Sequence, residues 1–111
     1  MSAHAIELDD KNGWLAIVGV SEECYDLETP DYKISIFDDA LNFVRYVELT
    51  DFSHIFFMDK NFPVERISSV KKDEIDDCMI CELDFNYEWI ATYKYDIKSG
   101  EFMELMNIRR L

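Results

Sequence analysis

Three kinds of side chain in this chain of 111 residues could do chemistry: cysteines, histidines and carboxylates. Cys78-Met79-Ile80-Cys81 has the CxxC spacing of zinc sites and redox dithiols. A structural zinc ion needs four ligands, and the remaining candidates, Cys24, His4 and His54, stand at no ligand spacing. A redox dithiol is activated at a helix N-terminus, whereas the alternation around this pair predicts a strand that points the two thiols to opposite faces. Both are read as core or half-core cysteines. His54, in the apolar run Phe52 to Met58, is read as a hydrogen-bonded structural histidine.

Asp9-Asp10-Lys11-Asn12-Gly13 has the composition of a calcium loop, but its register fails. With Gly13 at the sixth position, Leu8 and Gly19 fall where the first and last carboxylates belong, so the segment is read as a hairpin turn. The 24 acidic residues guarantee adjacent carboxylate pairs by chance. Neither a nucleophile and base set nor a Gly-rich phosphate loop accompanies them, and no pair is favoured for acid and base work. No catalytic residue, cofactor or metal is expected, and the chain is not read as an enzyme.

Charge is the stronger signal. Against 24 Asp and Glu stand 11 Lys and Arg, a net charge of −13. Such a field repels phosphates and anionic membranes and attracts cationic partners, so neither direct nucleic-acid binding nor membrane binding is expected. The acids are concentrated early: Glu22, Glu23, Asp26, Glu28, Asp31, Asp38 and Asp39 are opposed only by Lys33. A second cluster, Asp73, Glu74, Asp76 and Asp77, precedes Cys78. These residues, with Asp84 and the aromatic pair Tyr87 and Trp89, are the candidate partner-binding set. Carboxylates steer a cationic protein, while surface aromatics act as anchors. Their alternative roles are a solvated surface for the acids and cross-strand packing for the aromatics.

The elements that position these residues follow from hydrophobic periodicity. From Cys78 to Ile108 the chain reads as three consecutive antiparallel strands. Met79, Cys81, Leu83 and Phe85 form one face of the first, and Trp89, Ala91, Tyr93 and Tyr95 one face of the second. A turn at Asp96-Ile97-Lys98-Ser99-Gly100 leads to the third, whose apolar groups on both faces predict double coverage or a curled part of the sheet. Upstream, His4 to Leu8 and Trp14 to Val20 form a hairpin whose second arm, apolar on both faces, belongs in the middle of a sheet. Residues 21–31 read as a surface loop, and Tyr32 to Phe37 as a strand. Asp38-Asp39 could cap a helix from Ala40 to about Leu49, although alternating Leu41, Phe43, Val47 and Leu49 favour a strand there. Val64 to Val70 fits either a strand or a short helix. The expected fold is a single α+β domain over residues 1–111, dominated by antiparallel sheet, with one or two helices. Neither a basic-then-apolar leader nor an apolar run of membrane-spanning length is present, so a cytoplasmic location is expected.

The acidic runs from Glu22-Glu23 to Asp39 and from Asp73 to Asp77, together with the Tyr93 to Gly100 hairpin, resemble the immunity proteins of bacterial toxin and immunity pairs. Those pairs include contact-dependent growth inhibition and polymorphic toxin systems. The resemblance is one of character over the whole chain, and it assigns no role to any single position. It implies a stoichiometric inhibitor that occludes the active site of a cationic cognate toxin domain, frequently a nuclease. Two other readings stand beside it: a mimic of nucleic-acid charge that occupies a DNA-binding protein, and a small-ligand or metal-dependent enzyme.

Overall fold

A computed structural model describes residues 2–20, 32–52 and 54–111. Ten strands account for most of it: β1 (Ser2–Asp9), β2 (Trp14–Val20), β3 (Tyr32–Asp38), β4 (Phe43–Glu48), β5 (Ile55–Phe57), β6 (Lys60–Phe62), β7 (Arg66–Lys72), β8 (Cys78–Phe85), β9 (Trp89–Asp96) and β10 (Glu101–Arg110). Two antiparallel meanders of four strands, β1-β2-β3-β4 and β7-β8-β9-β10, are joined by the short β5-β6 hairpin. The domain is therefore β-dominated. The one or two expected helices are absent from the described residues, where the only helical segment is a 3-10 turn at Leu49–Asp51.

Alternation assigns one face of each meander to a shared core. Trp14, Ala16 and Val18 of β2, Ile34 and Ile36 of β3, and Val47 of β4 meet Ile67 and Val70 of β7 and Met79, Cys81 and Leu83 of β8 in one buried cluster. Burying a side chain of this size contributes roughly 1.5–3 kcal/mol, so this common face is the main stabilising term. The sheets approach along β1 and β7, where the Lys72 amide donates to Glu7 Oε2 at 3.1 Å. The β5-β6 hairpin lays Ile55, Phe57 and Phe62 over Phe85 and Trp89 in a second, smaller cluster.

The Cys78 to Ile108 meander has the expected faces and turn, and Gly100 adopts φ +74°. The N-terminal hairpin uses the same turn chemistry: Gly13, at φ +76°, donates to the Asp9 carbonyl as Gly100 donates to that of Asp96. In each turn the Asp carboxylate accepts a backbone amide, from Asn12 or Lys98. Of the two readings of residues 40–49, helix or strand, the structure takes the strand, as a tight turn followed by β4. Asp38 Oδ1 accepts the amides of Ala40 and Asn42, and Leu41 takes φ +64°, which redirects the chain antiparallel to β3. A carboxylate that could cap a helix here closes a hairpin, and Phe43, Val44, Tyr46 and Val47 follow their β preference. Of the two readings of Val64 to Val70, the structure takes the strand, β7, which begins at Arg66 and runs to Lys72. Phe52 to Met58 contributes only the three-residue β5, and His54 lies exposed before it instead of within a buried strand. The third meander strand, β10, is not covered twice. It is an edge strand, and two bulges, next to Met103 and Met106, place its apolar groups on both faces.

The sheets are also clasped opposite the β1-β7 seam. Arg45 of β4 reaches across the gap, and its Nη1 donates to the Ile97 carbonyl at 2.9 Å and the Tyr95 hydroxyl at 3.2 Å. Gly100 is needed here for its positive φ, and a Cβ, 2.5 Å from Arg45 Nη1, would displace that guanidinium from the clasp. We expect Gly100→Ala to lower the unfolding free energy by about 1–3 kcal/mol, measured by urea denaturation. Arg45→Met should cost a similar amount, and the double variant less than the sum, because either change already opens the clasp.

Candidate protein-binding face

Each meander has a second, outward face, and the two differ in chemistry. On the β7–β10 meander, outward side chains of adjacent strands are tied in ion pairs. Glu82 on β8 accepts from Ser69 Oγ at 2.7 Å and pairs with Lys71 at 3.0 Å and Arg109 at 2.6 Å. Lys94 on β9 sits between Asp73 and Asp76, at 3.0 and 3.1 Å. Asp77 pairs with Lys98 at 3.2 Å, Glu88 with Arg110 at 2.8 Å, and Asp84 with Arg66. Charge on this face is largely answered within the chain.

The β1–β4 face is different. Register places Ile6, Ile17, Ser35 and Tyr46 in one row across the four strands, and Leu8, Leu15, Phe37 and Phe43 in the next. Ile6, Leu8, Phe43 and Tyr46 are 62, 57, 50 and 51% exposed. Phe43 packs against Tyr46 with centroids 4.5 Å apart and ring planes tilted by 51°, and meets Phe37 edge to face at 6.0 Å, forming an aromatic ridge along β3 and β4. Among the described residues its charge contacts lie at its margin, where Lys33 pairs with Glu48 at 3.6 Å and stands 5.1 Å from the Tyr46 ring. The rows form a contiguous apolar and aromatic face that the described residues leave partly open to solvent.

Acids flank it. Asp38 and Asp39 lie at one end, where the β3-β4 turn meets the β1-β2 turn: a Cβ on Gly13 would stand 3.4 Å from that of Asp39. Asp10 belongs to the same end. Glu22, Glu23, Asp26, Glu28 and Asp31 fall in the segment linking β2 to β3, outside the described residues. Five acids with no Lys or Arg are thus tethered between the two central strands of this sheet.

The remaining candidates are dispersed. Asp73, Asp76 and Asp77 are held by Lys94 and Lys98 on the other meander, and Glu74 is exposed beside them. Asp84 is 7% exposed and gripped by Arg66, so it is no surface group. Trp89 packs on Phe57 with Arg110 over its ring, while Tyr87 stands 86% exposed at φ +64° in the β8-β9 turn. Cys78 and Cys81 do point to opposite faces; Cys78 Sγ lies 3.3 Å from Met103 Sδ, and burial pushes the Cys81 thiol up to about 12. The apolar rows were missed because a strand apolar on both faces was read only as central in its sheet, which β2 is, and not as lending one of those faces to the surface. Their signal is cumulative: Ile6, Leu8, Leu15, Ile17, Phe37 and Phe43 all fall opposite the residues that form the core.

Hydrogen bonding by Ser69 holds the Glu82 carboxyl down near 2, against the opposing effect of burial and with the help of Arg109 and Lys71. A folded value below the unfolded one gives stability that is present above about pH 4.5 and lost as pH falls towards 2. Glu82→Gln should therefore reduce unfolding free energy by on the order of 2 kcal/mol at neutral pH. The difference from wild type should vanish as pH approaches 2, in chemical denaturation at a series of pH values.

No protein-family profile, curated protein or solved structure matches this chain.

Proposed function

We propose that this chain is a protein-binding module that inhibits a cationic partner stoichiometrically, as the immunity protein of a toxin pair does. The observation that carries the proposal is the exposed apolar face of β1–β4 in a chain of net charge −13. A surface that only kept an acidic protein soluble would spread its carboxylates over such a face; here the described ones, Asp38, Asp39 and Glu48, stand at its margin. That arrangement is the anatomy of an interface, with an apolar and aromatic centre for residence time and a charged rim for encounter. Tyr46 and Phe43 are the anchors, and Asp38, Asp39 and the acids of 21–31 steer the Lys and Arg of the partner. A toxin nuclease uses such residues to hold phosphate, so covering them removes its activity. A cytoplasmic location follows from that role.

Charge mimicry of nucleic acid is a weaker reading. It needs a row of free carboxylates spaced like phosphates, but the acids of the β7–β10 face are paired with Lys and Arg. The cysteines offer no stronger support for metal chemistry, since Cys81 is buried and faces away from Cys78.

The test is co-expression with a basic toxin domain encoded beside this chain, followed by titration calorimetry. Wild type should abolish toxicity and bind one to one, with affinity falling as salt rises. Tyr46→Glu should weaken binding about thirtyfold, roughly 2 kcal/mol, without loss of fold. Binding unchanged by Tyr46→Glu and Leu8→Glu would remove the face from the account, and protection against no basic domain would remove the function.

A further inference from the structure

The β10 edge carries a second interaction surface, independent of the β1–β4 face. It is the longest strand, it closes one side of its sheet, and no described strand pairs with its outer edge. Of residues 101–110 only Phe102 and Ile108 are even partly buried. Proteins blunt such an edge with brevity, proline, charged side chains, bulges or a covering segment. This one has ten residues, no proline, and Met103, Leu105 and Met106 exposed. Its two bulges interrupt the ladder without covering it.

The charge on the strand is polar and self-complementary. Glu101 and Glu104 stand in its first half, Arg109 and Arg110 in its second, so the strand is neutral within a chain of −13. It is a place where two copies approach without the repulsion that acts elsewhere. Pairing with β9 sets the faces: Glu104 lies opposite Lys94 and Arg109 opposite Ile90 on the outer side, while Leu105 faces Tyr93 and Ile108 faces Ala91 on the inner side. An antiparallel partner β10 in two-fold register about Met106 and Asn107 puts Glu104 opposite Arg109 of the second copy, and Leu105 opposite Ile108. Both matches keep each residue on its own face, as a pleated ladder requires. Glu104 has no ion-pair partner among the described residues, and Arg109, already on Glu82, has further donors.

We infer that β10 is a homodimerisation edge, pairing antiparallel with β10 of a second copy to make one eight-stranded sheet. Sedimentation velocity over a concentration series tests it. Wild type should convert, as concentration rises, from 13.2 kDa to twice that mass. Glu104→Arg, which sets like charges opposite each other at two symmetric positions, should raise the dimer dissociation constant about tenfold, and Leu105→Lys at least as much. Both positions are exposed, and circular dichroism should show the fold retained. Leu105→Cys combined with Ile108→Cys should give, on oxidation, an intermolecular disulfide between positions 105 and 108, located by peptide mass spectrometry. A monomer at every concentration would overturn the inference. So would a dimer that ignores both β10 variants but is lost in Leu8→Glu, which would place the contact on the β1–β4 face.

Discussion

The constraint on which the rest depends is that each meander has two faces and only one partner. Residues of β2, β3, β7 and β8 alternate so that Ala16, Val18, Ile34, Ile36, Ile67, Met79, Cys81 and Leu83 meet between the sheets. That single interior leaves two outward surfaces to be reconciled with water. The β7–β10 meander does so with cross-strand ion pairs, in which Glu82 and Lys94 each serve two partners. The β1–β4 meander leaves Ile6, Leu8, Phe43 and Tyr46 exposed. Such pairs contribute little individually at a surface, but on the β7–β10 face they keep the surface polar. Nothing equivalent covers the β1–β4 rows among the described residues, and this asymmetry carries the functional reading.

The same geometry explains why the face can be exposed and still rigid. Each strand is fixed from inside by its buried half, so Tyr46 is held in place by its neighbour Val47 in the core, and Leu15 by Trp14 and Ala16. The Arg45 clasp adds a polar tie between β4 and the β9-β10 turn on the side away from the β1-β7 seam. An apolar surface mounted on a fixed sheet loses little conformational entropy on binding, which favours a tight complex for a modest area. Carboxylates at the turn ends, Asp38 in particular, close the hairpin through their own backbone hydrogen bonds while remaining part of the acidic rim.

Much of this was legible in the sequence where one face alone is apolar. β8 and β9 follow from period two, and the hairpin turns from their glycines, because alternation and positive φ are local properties. The failures share a cause. β2 lies in the middle of its sheet, as its apolar faces indicate, but those faces do not say that Leu15 and Ile17 stay partly exposed, since burial depends on what lies above a sheet and not on the strand itself. Residues 40–49 fit both periods, and pairing with β3 decides for β4. β10 looks apolar on both sides because bulges at Met103 and Met106 shift its register, which no propensity encodes. Asp84 and the cluster Asp73 to Asp77 look like free surface charge until Arg66, Lys94 and Lys98 are brought against them from other strands or turns.

The most direct measurement is side-chain solvent accessibility in the free protein, by NMR with a soluble paramagnetic probe. The methyl and ring signals of Ile6, Leu8, Phe43 and Tyr46 should broaden strongly, and those of Ile34, Ile36 and Met79, which the core buries, should not. If the outward residues were as protected as the core set, the face would be covered in the free chain, and the binding role assigned to it would be contradicted.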